Sequence, residues 1–358
     1  MTKVAGLTIR PPDECRYDAV ALGEVMLRLD PGEGRIRTAR SFRVWEGGGE
    51  YNVARGLRRT FGMRAALVTA LADNEVGRLL EDLILTGGVD TSWIRWVPYD
   101  GIGQGARNGL NFTERGFGVR GAIGMSDRGH TAVSQLAADQ VDWDALFGEA
   151  GVRWFHTGGI FAGLSDLTSQ TALAAVRAAK RNGAVVSYDL NYRASLWQDR
   201  GGMERAREVN ATILPHADVV FGIDGAGRGA ADLSEVELTD AIRAFGLAHP
   251  NLSVIASPLR RVVSATRNDW GGVAWSRSTG LVRAAQRDGL EILDRVGGGD
   301  SFASGMIVAL LEGLPLATAV EYGAAHGALA MTTPGDTSMA SRAEVVRLAA
   351  RGESAVDR

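Results

Sequence analysis

A run of three glycines and an aspartate, Gly297 to Asp300, constrains the fold of this 358-residue chain more than any other stretch. Because glycine has no β-carbon, the backbone N–H groups of such a run can converge on one anion. The apolar residues that follow predict a helix that ends near Gly313 and carries Asp300 in its first turn. The run is therefore either a tight turn or an anion site. In an anion site, the neighbouring carboxylate would indicate proton chemistry.

A second glycine run, Gly47 to Gly49, also leads into a predicted helix, which passes Asn52 and ends near Gly62. Such a junction directs N–H groups and the positive end of the helix dipole at a ligand. The same junction occurs where a strand and a helix pack closely, and the residues alone leave both interpretations open.

Strands and helices alternate along most of the chain, with short connections. This order is typical of an α/β fold with a mainly parallel sheet. The first long strand, predicted over residues 17–29, is interrupted at Gly23 and Glu24, so we expect Glu24 to reach a site. A later strand over 184–189 ends in the polar loop 189–193. Because ligands bind at the carboxyl ends of parallel strands, both segments are candidates for binding.

Two segments, 35–45 and 101–129, depart from this alternation, with short polar-faced strands in the first and glycine-punctuated strands in the second. We interpret them as a small β-layer that stands off the main sheet and forms a lid. A surface hairpin without function is the alternative. No linker, repeat or low-complexity tract interrupts the chain, so one main domain with a lid is the simplest organisation.

Composition excludes several classes of function. With 39 basic and 42 acidic residues, the net charge of −3 gives no strong field to attract nucleic acid or an anionic membrane, and neither partner is expected. The single cysteine, Cys15, excludes an intramolecular disulfide, and the polar N-terminus has no signal-peptide core, so we expect a cytoplasmic protein. The glycines at 225–229 lack the spacing of a dinucleotide-binding fingerprint.

The two glycine motifs and the α/β order together resemble the ribokinase-like (PfkB) carbohydrate kinases over about residues 17–350. The late motif of that family is usually Asp-Thr-x-Gly-Ala-Gly-Asp, and here it is Asp-Arg-Val-Gly-Gly-Gly-Asp at 294–300. This variant, followed by Ser301 and Phe302, is similar to the branch of 2-keto-3-deoxygluconate kinases. The segments Asp-Leu-Asn-Tyr-Arg at 189–193 and Thr-Pro-Gly-Asp at 333–336 are similar to that branch as well.

The resemblance implies a three-layer α/β/α domain over 17–350 with a mainly parallel sheet and the small β lid inserted. Residues 1–16 and 351–358 would then be terminal extensions. It also implies ATP-dependent phosphorylation of a sugar hydroxyl with Mg²⁺. By motif match, Asp300 is the catalytic base, and the N–H groups of Gly297, Gly298, Gly299 and Asp300 form the anion hole. Positioning and electrostatics supply most of the catalysis in such a transfer.

For the sugar, the resemblance assigns Gly48, Gly49 and Asn52 to the hydroxyls. It assigns Arg193 to the carboxylate of a sugar acid, with Arg128 as a second candidate, because a guanidinium pairs with a carboxylate through two parallel hydrogen bonds. The remaining predicted sugar-site residues are Glu24 and Asn111. However, Asn111 and Thr113 stand where we expect that branch to have tyrosine and arginine. A kinase for a neutral ketose such as fructose, and a sugar-binding relative without catalysis, are the alternatives.

For the nucleotide, the resemblance assigns Ser257, Arg260, Gly297, Gly299 and His326, and His326 has a packing role as its alternative. The Asn-x-x-Glu of the family, which organises Mg²⁺ through water, is absent, and the chain has Ile-Asp-Gly-Ala at 223–226 instead. Either Asp224 substitutes in part, or Mg²⁺ is held mainly by phosphates and water. The metal ligands therefore stay unassigned. The resemblance further implies a homodimer formed through the lid strands, since exposed strand edges need cover.

Overall fold

The computed structural model describes residues 1–223 and 230–351. Asp224, the glycines at 225–229 and residues 352–358 lie outside the described residues. The strands are β1 (Thr2–Val4), β2 (Leu7–Ile9), β3 (Tyr17–Leu22), β4 (Met26–Asp30), β5 (Arg43–Gly47), β6 (Ala65–Ala72), β7 (Ile94–Val97), β8 (Gly109–Glu114), β9 (Ile123–Asp127), β10 (Val152–Gly158), β11 (Val185–Asp189), β12 (Val219–Phe221), β13 (Val254–Ser264), β14 (Arg267–Ser276), β15 (Gly280–Arg283) and β16 (Arg287–Glu291). The helices are α1 (Gly49–Arg59), α2 (Glu75–Thr86), α3 (Gly159–Ala162), α4 (Asp166–Arg181), α5 (Ala194–Trp197), α6 (Gly202–Ile213), α7 (Glu235–Ala248), α8 (Gly298–Leu311), α9 (Leu316–Ala330) and α10 (Arg342–Arg351).

A large central sheet has the strand order β15-β14-β13-β12-β11-β10-β3-β6-β7, with β16 paired to β14. The strands from β13 to β7 in this order are parallel, whereas β14 runs antiparallel to β13 and to β15. After β3 the chain continues to β6 and β7 on one side, and it later fills the other side from β10 to β13. The direction therefore reverses at β3, and the carboxyl ends of β3 and β10 open a crevice of the kind where ligands bind.

Helices cover both faces of the central sheet. One face packs against α4, α6 and α7, and the other packs against α1, α8 and α9. All residues of β3, β6 and β10 are buried, as expected for parallel strands covered on both sides. Helix α8 is buried on nearly all sides from Ser301 to Leu311, which explains why its sequence is apolar all round. The α/β architecture predicted from the sequence is confirmed.

A second, small sheet has the strand order β5-β4-β8-β9. We call these four strands the small sheet. The single strand predicted over 17–29 is wrong, because the chain leaves the central sheet after Leu22, turns at Gly23 and Glu24, and enters the small sheet at Met26. The expected pair of strands over 35–45 is also incorrect, since that segment contains a 3₁₀ turn (Ile36–Thr38) and the start of β5.

The part of the chain that the structure describes contains no helix with the length and apolar content needed to cross a bilayer. Cys15 is a free, buried thiol.

Candidate active site

A cleft of about 580 Å³ lies between the small sheet and the carboxyl ends of the central strands. It brings together residues that are far apart in sequence, including both glycine motifs. Most of the predicted site residues line this cleft: Glu24, Gly48, Gly49, Asn52, Asn111, Arg128, Arg193, Ser257, Arg260, Gly297, Gly299 and Asp300.

Asp300 lies in the first turn of α8, half-buried in the wall of the cleft. Its Oδ2 accepts a hydrogen bond of 2.7 Å from Nδ2 of Asn52, which is on α1. Burial raises the pKa of Asp300 to about 7; the Asn52 hydrogen bond opposes this shift, and the nearby charge of Asp189 adds to it. A carboxylate with this pKa is a better proton acceptor than an exposed aspartate and is still substantially ionised at neutral pH.

The loop before α8 has the geometry that its glycines predict. Gly297 has φ of 78° and caps the helix, and a β-carbon there would overlap the carbonyl oxygen of Asp336. The α8 N-terminus therefore requires glycine at this position. A β-carbon at Gly299 would meet no atom within 4 Å, so there is open space beside this N–H group. Gly298 does not line the cleft, because it packs against Met331 and Trp270.

A buried glutamate that was not predicted, Glu50, lies beneath the cleft in the first turn of α1. Its Oε1 accepts a hydrogen bond of 3.3 Å from the N–H of Phe161, and its Oε2 has no hydrogen-bond partner. Burial raises the pKa of Glu50 to about 8, and the charges of Asp300 and Asp189 contribute to this shift. Glu50 is therefore a neutral acid at pH 7, and Asp189 and Asp300 are close enough for their charges to act on it.

Glu24 and Arg128 form an ion pair on the other side of the cleft, with 3.3 Å between Nε of Arg128 and Oε2 of Glu24. The Oε1 of Glu24 also accepts a hydrogen bond of 3.4 Å from the Thr131 hydroxyl. Asn111 donates to the Thr113 hydroxyl at 3.1 Å, so neutral polar groups lie next to this ion pair. Because Arg128 is already paired, its charge is partly neutralised before any ligand binds.

A fully buried arginine, Arg28, connects the small sheet to the loops around α8. It lies on β4, and its guanidinium donates to the carboxylates of Asp30, Asp294 and Asp336. Burial lowers the pKa of Arg28, but Asp336 and Asp294 raise it by more, so the guanidinium stays charged. Asp294 precedes the glycine run and Asp336 contacts Gly297, which means that this network fixes the glycine loop before α8.

Three arginines line the cleft without a hydrogen bond or ion pair to an acidic side chain in the described part of the chain: Arg193, Arg260 and Arg295. Arg260 is half-buried, and burial followed by the charges of Arg295 and Arg193 lowers its pKa. Arg193 also acts electrostatically on Asp300 and Asp189. The cleft therefore combines a basic group of side chains with the carboxylate of Asp300.

His326, predicted to contact a nucleotide, does not line the cleft. Its side chain is fully buried between helices, with its ring nitrogens 3.0 Å from the Ser304 hydroxyl and 3.3 Å from the Thr60 hydroxyl. The ring also packs edge-on against Phe61, and burial lowers its pKa to about 4. The packing role is therefore the one that the structure supports.

Sequence reasoning missed several residues that line the cleft, namely Arg115, Asp189, Asn191, Arg295 and Asp336. The strand-end position of residues 189–193 was a signal for Asp189 and Asn191, and the motif at 333–336 was a signal for Asp336. No local pattern in the sequence pointed to Glu50 or Arg28.

Within residues 1–223 and 230–351, no group of three or more His, Cys, Asp or Glu side chains is arranged to hold a metal ion.

Comparison with known proteins agrees with this geometry. Residues 17–343 match the family model described as "pfkB family carbohydrate kinase". A 2-dehydro-3-deoxygalactonokinase from Haloferax volcanii is 31% identical over 343 residues, which cover 95% of this chain and 99% of the relative. Fructokinase-1 of Zea mays is 29% identical, over 92% of this chain and 96% of that protein.

The solved structure of a 2-dehydro-3-deoxygluconokinase from Thermotoga maritima superimposes with a TM-score of 0.83 and 31% identity, over 93% of this chain and 99% of that one. The chain belongs to the pfkB family of carbohydrate kinases, and it is a sugar kinase of that type.

Proposed function

We propose that this kinase transfers the γ-phosphoryl group of ATP to a hydroxyl of 2-keto-3-deoxygluconate or a related sugar acid. The observation that carries this proposal is the hydrogen bond from Asn52 to Asp300 at the N-terminus of α8, inside the cleft. It joins the two glycine motifs into one site. The relatives named for 2-dehydro-3-deoxy sugars support the substrate class.

In this mechanism Asp300 accepts the proton of the attacking sugar hydroxyl. A bond forms between the sugar oxygen and the γ-phosphorus, and the bond from that phosphorus to the β–γ bridging oxygen breaks. The bridging oxygen keeps the electron pair and leaves as part of ADP. A positioned base of this kind contributes about 10²- to 10⁴-fold to the rate. The pKa of Asp300, raised to about 7 by burial, suits this role at neutral pH.

The N–H groups from Gly297 to Asp300 would stabilise the charge on the phosphoryl group as it moves. They lie at the N-terminus of a helix of 14 residues, whose dipole adds to the field. The open space beside Gly299 gives a phosphate oxygen room to approach. Preorganised donors of this kind act on the transition state without reorganisation.

Arg193 is the best candidate to bind the carboxylate of a sugar acid. It lies in the loop after β11, is exposed in the cleft, and is close enough to Asp300 to act on its pKa. Arg128 is less suitable because Glu24 already pairs with it. Binding of the sugar carboxylate by Arg193 would place the acceptor hydroxyl beside the base.

Kinases of this family use ATP. We propose that the nucleotide enters with Mg²⁺ bound to its phosphates and to water, as the reluctance of this ion to lose water allows. The described residues contain no group of three or more His, Cys, Asp or Glu side chains that could hold the ion, so the proposal gives it no side-chain ligands.

We also propose that the small sheet is the lid of the main domain and that two copies associate through it in the cytoplasm. All five residues of its edge strand β9 are exposed, including the apolar Ile123 and Met125. An exposed, partly apolar edge strand needs cover. Sedimentation of the purified protein would show a dimer that Ile123→Lys converts to a monomer, whereas a monomeric wild-type protein would contradict this arrangement.

The test of the function is a coupled assay of ADP release with Mg-ATP and three acceptors: 2-keto-3-deoxygluconate, 2-keto-3-deoxygalactonate and fructose. We expect turnover with one of the acids, and selective loss of that turnover in Arg193→Ala. Equal loss for acidic and neutral sugars would favour a ketose kinase. Binding of sugar without any phosphoryl transfer would identify a non-catalytic sugar-binding protein.

A further inference from the structure

We propose that Arg260 and Arg295 form a clamp for the terminal phosphates of the nucleotide, with Arg193 at its sugar-side end. This inference rests on the proposed function, adds Arg295 to the donor side of the same site, and gives Arg260, already assigned to the nucleotide, a specific role on its phosphates. The three guanidinium groups line one cleft, and none has an acidic partner among the residues that the structure describes.

The carboxylates around these arginines are already committed to other groups. Asp294, adjacent to Arg295 in sequence, and Asp336 both bind Arg28. Asp300 accepts the amide of Asn52 instead. The charges of Asp189 and Asp300 act on Arg193, whereas Arg260 and Arg295 have no ion pair among the described residues, so an anionic ligand is the group that would compensate these two.

The arginines approach the α8 N-terminus from different elements. Arg295 lies two residues before Gly297 in the loop that leads into α8. Arg260 lies on β13, three residues after Ser257, and Arg193 lies in the loop that follows β11. These side chains and the free N–H groups of α8 therefore surround one volume from several directions, as binding of a tetrahedral anion requires.

Mutual repulsion supports this assignment. Arg260 is half-buried, and its pKa is lowered first by burial and then by the charges of Arg295 and Arg193. Like charges held together in this way are stabilised by a polyanion between them. A planar guanidinium binds phosphate through two parallel hydrogen bonds, which fixes orientation as well as charge.

The order of the three residues separates donor from acceptor. Arg193 is the arginine whose charge acts on Asp300 and Asp189, so it lies on the side of the base and the sugar. Arg260 and Arg295 come from other elements, β13 and the loop before α8. During transfer they would hold the phosphoryl oxygens and the β-phosphate of the departing ADP, where negative charge is concentrated.

The experiment is equilibrium binding of ATP, ADP and AMP to wild-type protein, Arg260→Met and Arg295→Met, measured calorimetrically without sugar. Arg181→Met, which changes an exposed arginine at the end of α4, is the matched control. We expect ATP affinity to fall about 10- to 100-fold in each cleft variant, in line with the loss of a charged hydrogen bond, and AMP affinity to change little. The ATP affinity of Arg295→Lys should lie between those of the wild type and Arg295→Met, because lysine keeps the charge but lacks the planar guanidinium.

Three results would overturn the clamp. Equal losses for AMP and ATP would place the arginines on the nucleoside, and unchanged ATP affinity would remove them from the donor site. Binding of the sugar acid, measured separately, should be unaffected, and its selective loss would instead assign these residues to the acceptor. Nucleotide binding is measured without turnover, so this experiment tests the clamp independently of the kinase activity. The clamp can be disproved while the activity is confirmed, and it can be confirmed even if no sugar is phosphorylated.

Discussion

The side-chain amide of Asn52 donates a hydrogen bond of 2.7 Å to the carboxylate of Asp300, across 248 positions of sequence. Each residue belongs to the first turns of a helix that follows a glycine run. The bond therefore fixes the two helix N-termini relative to each other. It also keeps Asp300 more acidic than burial alone would make it.

Asp300→Asn should lower kcat by about 10²- to 10⁴-fold, the usual contribution of a general base. Asparagine has a similar shape but cannot accept the proton of the sugar hydroxyl. Binding of ATP and of the sugar should change far less than turnover. The measurement is steady-state kinetics combined with calorimetric binding, and a variant that keeps near-normal turnover would exclude Asp300 as the base.

The rate should depend on pH through the same carboxylate. Below about pH 7 Asp300 is increasingly protonated, since burial raises its pKa to about 7, so kcat/KM should fall as the pH decreases through that value. In Asn52→Ala the hydrogen bond that lowers this pKa is lost, and the acidic limb should move to higher pH. If Asn52→Ala lowers the rate but leaves the acidic limb of the pH profile unchanged, Asn52 acts only through contact with the substrate.

Glu50→Gln should stabilise the protein at alkaline pH. The folded protein retains the Glu50 proton up to about pH 8, whereas the unfolded chain releases it near pH 4.5, so this group weakens the fold as the pH rises between these values. Glutamine removes this penalty and keeps an oxygen to accept the Phe161 N–H. The gain in the free energy of unfolding should be near zero at pH 4 and on the order of 1–4 kcal/mol at pH 8.

Urea titrations at several pH values measure this difference, with the exposed Glu33→Gln as the matched control. A gain of the same size at pH 4 and pH 8 would show that Glu50 is not a neutral acid in the folded protein.

Alanine substitutions at Gly297 and at Gly299 should differ in their effect on the stability of the fold. Gly297→Ala must adopt a positive φ and overlap the Asp336 carbonyl, so it should destabilise the fold by more than about 1 kcal/mol. At Gly299 there is space for a β-carbon, and alanine is a better helix former than glycine. The Gly299→Ala protein should therefore be as stable as the wild type or slightly more stable. Its methyl group would occupy the space proposed for phosphate, and its affinity for ATP should fall. Thermal unfolding and ATP titration of the pair test this, and normal ATP binding by a stable Gly299→Ala would argue against the anion hole.

Local sequence signals predicted much of this fold. The helix predicted to end near Gly313 forms as α8 with Asp300 in its first turn, and the helix predicted to pass Asn52 forms as α1. These features depend on neighbours within a few residues. The strand-end loops and glycine motifs also indicated the cleft, because a parallel sheet gathers such ends on one edge.

The features that could not be predicted depend on contacts between distant segments. Residues 17–29 are mostly apolar and are interrupted at Gly23 and Glu24, but the interruption alone does not show that the chain changes sheets there. Arg28 is buried because Asp294 and Asp336, more than 260 positions away, neutralise it. His326 was assigned to the site by its position in the sequence only. Its hydrogen bonds to Ser304 and Thr60 depend on how the helices pack together.

The Arg28 network also limits how the cleft can close over its ligands. Strand β4 is tied through Arg28 to both loops beneath it, so this inner strand cannot rotate without separating buried charges, which would cost about 3–5 kcal/mol. The exposed outer strand β9 carries no such anchor to these loops. Movement over the substrate would therefore be a bend within the small sheet, with its inner side stationary and β9 travelling farthest.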